Sequence, residues 1–453
     1  SLQTLSARQN GALFLNHFKR AVGRHLPGAV GLLVPLLMPA ALGWAAEGHV
    51  SQSLEPDDQG AASRVGYNAT RPLFGGPTSP EGEIEETDRT RTPAFTFPAI
   101  YESFAGWRDW KRALNDEHGL QLSAHYSTLF QRLDESLGGE DKASGGVARV
   151  TAKWTALGRD SKNQGSLIVT LDHRHAFRDV APADLAGEAG YIGVTGLFFS
   201  DTDFSVINLN WQQGLNEGRS GFVAGRYDPN DYMNVMGMVN PWTMFSNLAS
   251  SLDLSVALPD SSWGIGGGHW MNDQWYVLGG INDANGIGTD DLEFFDGGAE
   301  FFTYAHLGWS PSKGERYFKN VHALAWHVDE REDLDIEESH GVAFAANWTF
   351  AERWMPFVRL GFSEGSAPIY NESATLGMIY KLEVRSDLLG IAVNWGDPPA
   401  AAFREQTTLE AFWRVQLAQN LAITPSVQWL QNPALNSEED EVWVIGLRTR
   451  LTF

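Results

Sequence analysis

From about residue 120 to the end of the chain, apolar and polar positions alternate with a period of two, the pattern of strands with two different faces. Leu122, Ala124 and Tyr126 fall on one face, as do Val150, Ala152 and Trp154, then Leu167, Val169 and Leu171. Further on come Val342, Phe344, Ala346, Trp348 and Phe350, then Trp354, Pro356, Val358, Leu360 and Phe362, then Leu389, Ile391, Val393 and Trp395. Leu409, Ala411, Trp413, Val415 and Leu417 turn at Gln419 and Asn420 into Leu421, Ile423, Val427 and Trp429. The last strand is the clearest: Trp443, Ile445, Leu447, Thr449, Leu451 and Phe453 line one side, and Val444, Gly446, Arg448, Arg450 and Thr452 the other. At roughly 3.3 Å per residue and a tilt near 40°, Trp443 to Phe453 rises about 25 Å, the height of the apolar band of an outer-membrane barrel. Aromatic residues gather near the ends of these sets, as a girdle does and a packed core does not.

A soluble β-sandwich also alternates, but its connections have similar lengths at both ends. Here tight connections (Ala351 to Arg353, Gln419 to Asn420) alternate with long polar ones (Ala176 to Asp203, Asp228 to Ser251, Ala284 to Gly298, Gln431 to Asp440). The chain is therefore read as an all-β, transmembrane antiparallel barrel of about 16 strands, with 14 or 18 open because Trp263 to Trp270 and Asn320 to Val328 are ambiguous in facing. A short amphipathic helix is expected before it, since Phe104, Trp107, Lys111 and Leu114 recur at helical spacing and Gly119 marks a stop.

The start of the chain reads differently. Lys19, Arg20 and Arg24 precede the apolar run Pro27 to Leu42 and small residues around Ala45 and Ala46, the arrangement of a cleaved secretory signal over residues 1–45. Residues 46–102, turn-rich and acidic, are expected to be a flexible linker, and 103–453 the barrel domain with its helix. The mature chain is expected to begin close to Ala46. The net charge of −23 argues against nucleic acid, and the absence of cysteine removes thiol chemistry.

By the alternation, the water side carries Arg149, Lys153, Asp172, Arg174, Arg226, Asp228, Arg359, Lys381, Glu410, Arg414, Arg448 and Arg450. Guanidinium forks donate to adjacent sugar hydroxyls and carboxylates accept from others, so Arg226, Asp228, Arg174, Asp172, Arg359, Lys381, Glu410 and Arg414 are the candidate sugar contacts. Arg226 and Asp228 are expected on one strand face near a constriction. Enzyme-like signals are weak. Gly361-Phe-Ser-Glu-Gly365 has nucleophile-elbow spacing but no helix after it, His173 and His175 lack a third metal ligand, and Asp283 to Asp290 lacks the glutamate that closes a calcium loop. Gly264, Gly266, Gly267 and Gly268 precede no helix and make no dinucleotide fingerprint.

Three stretches carry a family resemblance. Phe104-Ala-Gly-Trp-Arg-Asp-Trp-Lys-Arg-Ala-Leu-Asn-Asp-Glu-His-Gly-Leu, Ala224-Gly-Arg-Tyr-Asp-Pro-Asn-Asp and Trp275-Tyr-Val-Leu-Gly-Gly-Ile-Asn-Asp-Ala-Asn-Gly, in that order and followed by the terminal Phe453, resemble the OprB-like carbohydrate-selective porins of Gram-negative outer membranes. The resemblance spans about residues 103–453. It implies a sixteen-stranded pore that passes small sugars by diffusion, with inward-folded loops and charged lumen residues at a constriction, and with no catalytic residue, metal or cofactor. Outer-membrane lipid, lipopolysaccharide and the barrel assembly machinery are the other expected partners. The alternatives are a general or anion-preferring porin, which a basic lumen permits, and a barrel hydrolase, for which no carboxylate pair is apparent.

Overall fold

A computed structural model describes residues 74–453 apart from 234, 288–291, 293–297, 383–384 and the side chain of Asp333. The expected signal segment lies outside the described residues. The strands are β1 (Leu120–Leu133), β2 (Lys142–Leu157), β3 (Gly165–Ala176), β4 (Asp203–Leu215), β5 (Ser220–Tyr227), β6 (Ser262–Trp270), β7 (Trp275–Asp283) and β8 (Phe301–Trp309). They continue as β9 (Lys319–Val328), β10 (Ser339–Trp348), β11 (Trp354–Glu364), β12 (Glu372–Lys381), β13 (Leu388–Asp397), β14 (Gln406–Ala418), β15 (Leu421–Gln431) and β16 (Glu441–Thr452). Each pairs antiparallel with its sequence neighbours, and β1 pairs with β16, with Ser127 opposite Arg450, to close the barrel.

The two faces fall as the alternation predicts. Ile445, Leu447 and Leu451 are exposed on the outside of β16, while Val444, Arg448 and Arg450 are buried inside. The ambiguous strands resolve the same way: Ile265 and Val321 face out, and Trp270, Asn320, His322 and Trp326 are buried. Unpaired sheet edges have no water to bond in lipid, so closure satisfies every strand's backbone at once.

One rim carries the short connections 158–164, 216–219, 271–274, 310–318, 349–353, 382–387 and 419–420, and the other the long ones, including 177–202 and 228–261. The helix expected before the sheet is Ala105–His118, stopped by Gly119 in the left-handed region at φ 70°. At the short-turn rim the backbone N–H of Phe453 donates to Ala124 O at 2.9 Å, and Lys111 Nζ donates to the main-chain oxygen of Phe453 at 3.1 Å. Deleting Phe453 should lower the amount of barrel assembled in the membrane and leave the conductance of assembled pores unchanged. Quantifying surface protein tests this, and normal levels would contradict it.

The linker expectation fails for residues 74–102. Instead of a free tether, Pro80–Asp88 is a helix (α1) lodged in the lumen, followed by α2 (Pro98–Ser103) and the helix Ala105–His118 (α3). Ser79 caps α1 by accepting from Gly82 N at 3.3 Å, and Pro80 follows at the first helical position. The physical reason is charge: the acidic residues that look solvated in isolation meet cations on the barrel wall.

Candidate functional site

The interior is organised from the long-loop rim inward as a vestibule, a constricting loop and a basic wall. The vestibule is an open cavity of about 430 Å³ with Thr78, Phe198, Asp228, Asp260, Phe302 and Arg331 in its lining, beside Asn230. Asp228 follows β5 and caps a turn, its Oδ1 accepting from Asn230 N at 2.9 Å and Asn230 Nδ2 at 2.8 Å. Burial and the neighbouring Asp260 carboxylate push Asp228 up to about 6.

The connection expected to be polar from Asp228 to Ser251 runs on to residue 261, and it is rich in buried methionine and aromatic side chains. Met236, Met238, Val239, Met244 and Phe245 pack against Ala345, Phe357, Ile379 and Phe412 on the lumen side of the wall. Adaptable thioethers fill the irregular space between loop and barrel, so the loop folds inward rather than into water. Its polar edge is fastened by wall residues. Glu410 accepts from Ser246 N at 2.7 Å, Ser246 Oγ at 3.0 Å and Asn247 N at 3.0 Å. Arg359 Nη1 donates to Ser250 O at 3.1 Å, and Arg448 donates to the carbonyls of Pro241 and Met244. The connection 177–202 also enters, held by Gln131 Nε2 donating to Thr195 O at 2.7 Å and by the Tyr191 and Thr408 hydroxyls 2.8 Å apart.

The wall on the β1, β2, β14 and β16 side is cationic. Arg149 grips Asp172 through Nε at 2.6 Å and Nη2 at 2.8 Å, and Arg174 Nη2 reaches the same carboxylate at 2.8 Å. Toward the short-turn rim, Glu83 of α1 lies 2.7 Å from His125 Nε2, 3.5 Å from Arg149 Nη1 and 3.7 Å from Arg450 Nη2. Glu86 meets Arg414 Nη2 at 3.0 Å, with Arg91 and Arg89 at 3.0 and 3.2 Å, and Glu81 lies 3.7 Å from Lys153. Burial alone would raise the Glu83 carboxyl, but the charge of Arg149, the hydrogen bond with His125 and the charge of Arg450 outweigh it and hold it down to about 2.

The eight sequence candidates therefore separate. Asp172, Arg174, Arg359, Glu410 and Arg414 are on the lumen wall, although Arg359 and Glu410 anchor the loop. Lys381 is half-buried at the short-turn end of β12, where its backbone N–H donates to Arg353 O. Arg226 does not share a face with the lumen: it stands in register with Leu209 and Trp263 on the outward side of β5, and its guanidinium binds the carbonyls of Val206 and Ile287. Asp228 lies beyond the strand end, so the expected Arg226 and Asp228 pair is not formed. Sequence reading missed Glu83, Glu86 and His125; the helix start Ser79-Pro80 followed by spaced glutamates was the available signal for the first two. Within the weak motifs, Ser363 Oγ donates to Tyr370 O at 3.2 Å, and Asn285 N donates to Asp283 Oδ1 at 2.9 Å in an Asx turn. His175 Nε2 lies 3.0 Å from Tyr126 Oη, and His173 is exposed near the strand end.

The chain is similar to the structure of Pseudomonas putida OprB determined at high pH, at 13% identity and a TM-score of 0.62, over 77% of this chain and 97% of that one. It is also similar to a mutant porin of Rhodopseudomonas blastica, at 12% identity and a TM-score of 0.47, over 74% of this chain and 100% of that one. No curated protein matches. The model of the family described as carbohydrate-selective porin, OprB family, matches residues 335–453, which run from the end of the β9–β10 connection through β16. The resemblance read from the sequence thus stands: by its closing strands the chain matches the OprB carbohydrate-selective porins, and by its whole barrel it has the porin fold.

Proposed function

We propose that this protein is a passive diffusion channel for small carbohydrates in a bacterial outer membrane, reached through a cleaved signal, and that it catalyses no reaction. The observation that carries the reading is a closed sixteen-stranded barrel whose lumen is narrowed by the inward loop 228–261 beneath a vestibule with both aromatic rings and polar groups. A barrel of that size leaves an aqueous channel. Pyranoses present hydroxyl edges and apolar faces, and Asp228, Asn230, Asp260 and Arg331 beside Phe198 and Phe302 offer partners for both. The long loops face outside, the short turns the periplasm; lipid and lipopolysaccharide surround the wall, and the barrel assembly machinery inserts it. The guanidinium groups of β2, β14 and β16 favour a preference for anions over cations as a secondary property.

Swelling of proteoliposomes in neutral sugars tests the reading: the full chain should admit monosaccharides faster than larger sugars, and absence of sugar flux would refute it. Asp228→Ala should weaken sugar block of ion current, a lost hydrogen bond to a charged group being worth roughly 1.5–3 kcal/mol. Arg226→Ala should leave that block unchanged, since its guanidinium is occupied outside the lumen. Because Asp228 ionises near 6, the mouth gains negative charge as pH rises through that value. Cation preference should therefore increase between about pH 5 and pH 7, and Asp228→Asn should remove the step. Reversal potentials across that range decide, and an identical step in the variant would assign it elsewhere.

A further inference from the structure

The segment 74–92 is fastened at both ends inside the barrel. At its start Phe74 sits among Trp270, Tyr276 and Leu278, and its carbonyl accepts from Arg316 Nη1 at 2.7 Å. The wall is shaped for this ring: a Cβ on Gly268 would stand 2.5 Å from Phe74 Cε2. The next residues dock on the constricting loop, with Gly76 N donating to Asp231 O at 2.6 Å and Asn240 Nδ2 donating to Pro77 O at 3.3 Å. At its end Thr92 N donates to Ser386 Oγ at 2.9 Å, and Ala94 N beyond it to Gln416 O at 2.7 Å, both at the short-turn rim. The strap therefore crosses the lumen between the constriction and that rim.

Along the crossing, Glu83 and Glu86 put their carboxylates on Arg149, Arg450 and Arg414. Two of these arginines have donors to spare: among the described residues Arg450 Nε and Nη1 and Arg414 Nε are buried without a hydrogen-bond acceptor, whereas Arg149 is held by Asp172 and Glu83. Buried guanidinium groups left without counter-charge are costly, so a strap that leaves must be replaced by another anion or by water. In a channel that passes sugars, the solute that offers a carboxylate to the cations and hydroxyls to the spare donors is a uronate.

We propose that Arg149, Arg450 and Arg414 form a binding track for carboxylated sugars, and that Glu83 and Glu86 fill it as an internal substitute which closes the pore until the strap withdraws. This rests on the reading of the barrel as a sugar channel, and two measurements keep the claims separate. The chain has no cysteine, and a Cβ on Gly76 would lie 3.3 Å from Val235 Cβ. That separation is a few tenths of an ångström short of the ~3.5–4.5 Å of disulfides, a shift that a loop can make, so Gly76→Cys with Val235→Cys gives a reversible lock on the strap. Full-length protein with this pair, folded by heat-modifiable migration and crosslinked by thiol titration, should admit glucose at least tenfold more slowly when oxidised than after reduction. Equal swelling in both states would overturn the closure and leave the channel reading standing. No swelling in either state, and none in the Glu83→Gln, Glu86→Gln protein whose strap has lost its ion pairs with the wall, would overturn the channel reading itself. In the Glu83→Gln, Glu86→Gln protein, glucuronate should block single-channel current at concentrations about tenfold lower than glucose, the contribution of one charge-assisted contact. Equal block by the two sugars would overturn the carboxylate track.

Discussion

Leu447→Arg should abolish accumulation of folded barrel, whereas Arg448→Leu should leave insertion intact. Leu447 is exposed on the outer face of β16, in register with Phe130 of β1 and Pro425 of β15, so an arginine there puts a charge into lipid. Near the bilayer midplane that costs about 2–4 kcal/mol. Arg448, one residue on, is buried inside, where its guanidinium holds the carbonyls of Pro241 and Met244. Its replacement loosens the constricting loop without altering the surface that meets lipid. The fraction of heat-modifiable protein recovered from outer membranes checks the pair, and equal loss in both variants would reverse the assignment of faces.

Glu410→Ala should open the constriction. One carboxylate receives three hydrogen bonds from Ser246 and Asn247, and no other described wall residue accepts as many from the loop. Bonds to a charged acceptor are each worth roughly 1.5–3 kcal/mol, and they do not add fully because they share one anchor. The apolar contacts of Met244 and Phe245 with the wall remain, so the loop should loosen locally rather than leave the lumen. Larger and noisier single-channel currents are expected once the pore is open, with unchanged amounts of folded barrel. Currents identical to those of the unaltered protein would show that the apolar packing alone sets the aperture.

The wall was legible because lipid on one side and water on the other impose a period of two on every strand, and a single misplaced residue is expensive. Thus the faces of β16 follow directly from Trp443 to Phe453, and the strand count of about sixteen agrees with the barrel. Nothing of that kind constrains the lumen contents. The stretch Pro80 to Asp88 looks like solvated linker because its burial depends on arginines that lie far along the chain, in β2, β14 and β16. The polar expectation for Asp228 to Ser251 fails for a related reason: its methionines have no periodicity, and their partners come from β10, β11, β12 and β14. Arg226 shows the limit of alternation on a short strand with few apolar markers: its charge reads as water-facing, but it shares the outward face with Phe222 and Ala224, and a neighbouring connection covers it.

The central claim is that the lumen conducts uncharged sugars, and proteoliposome swelling with the full chain tests it most directly. Glucose should enter faster than a disaccharide, and the disaccharide faster than a larger oligosaccharide, at rates proportional to the protein incorporated. Swelling no faster than that of protein-free liposomes, from protein shown to be folded, would contradict the account.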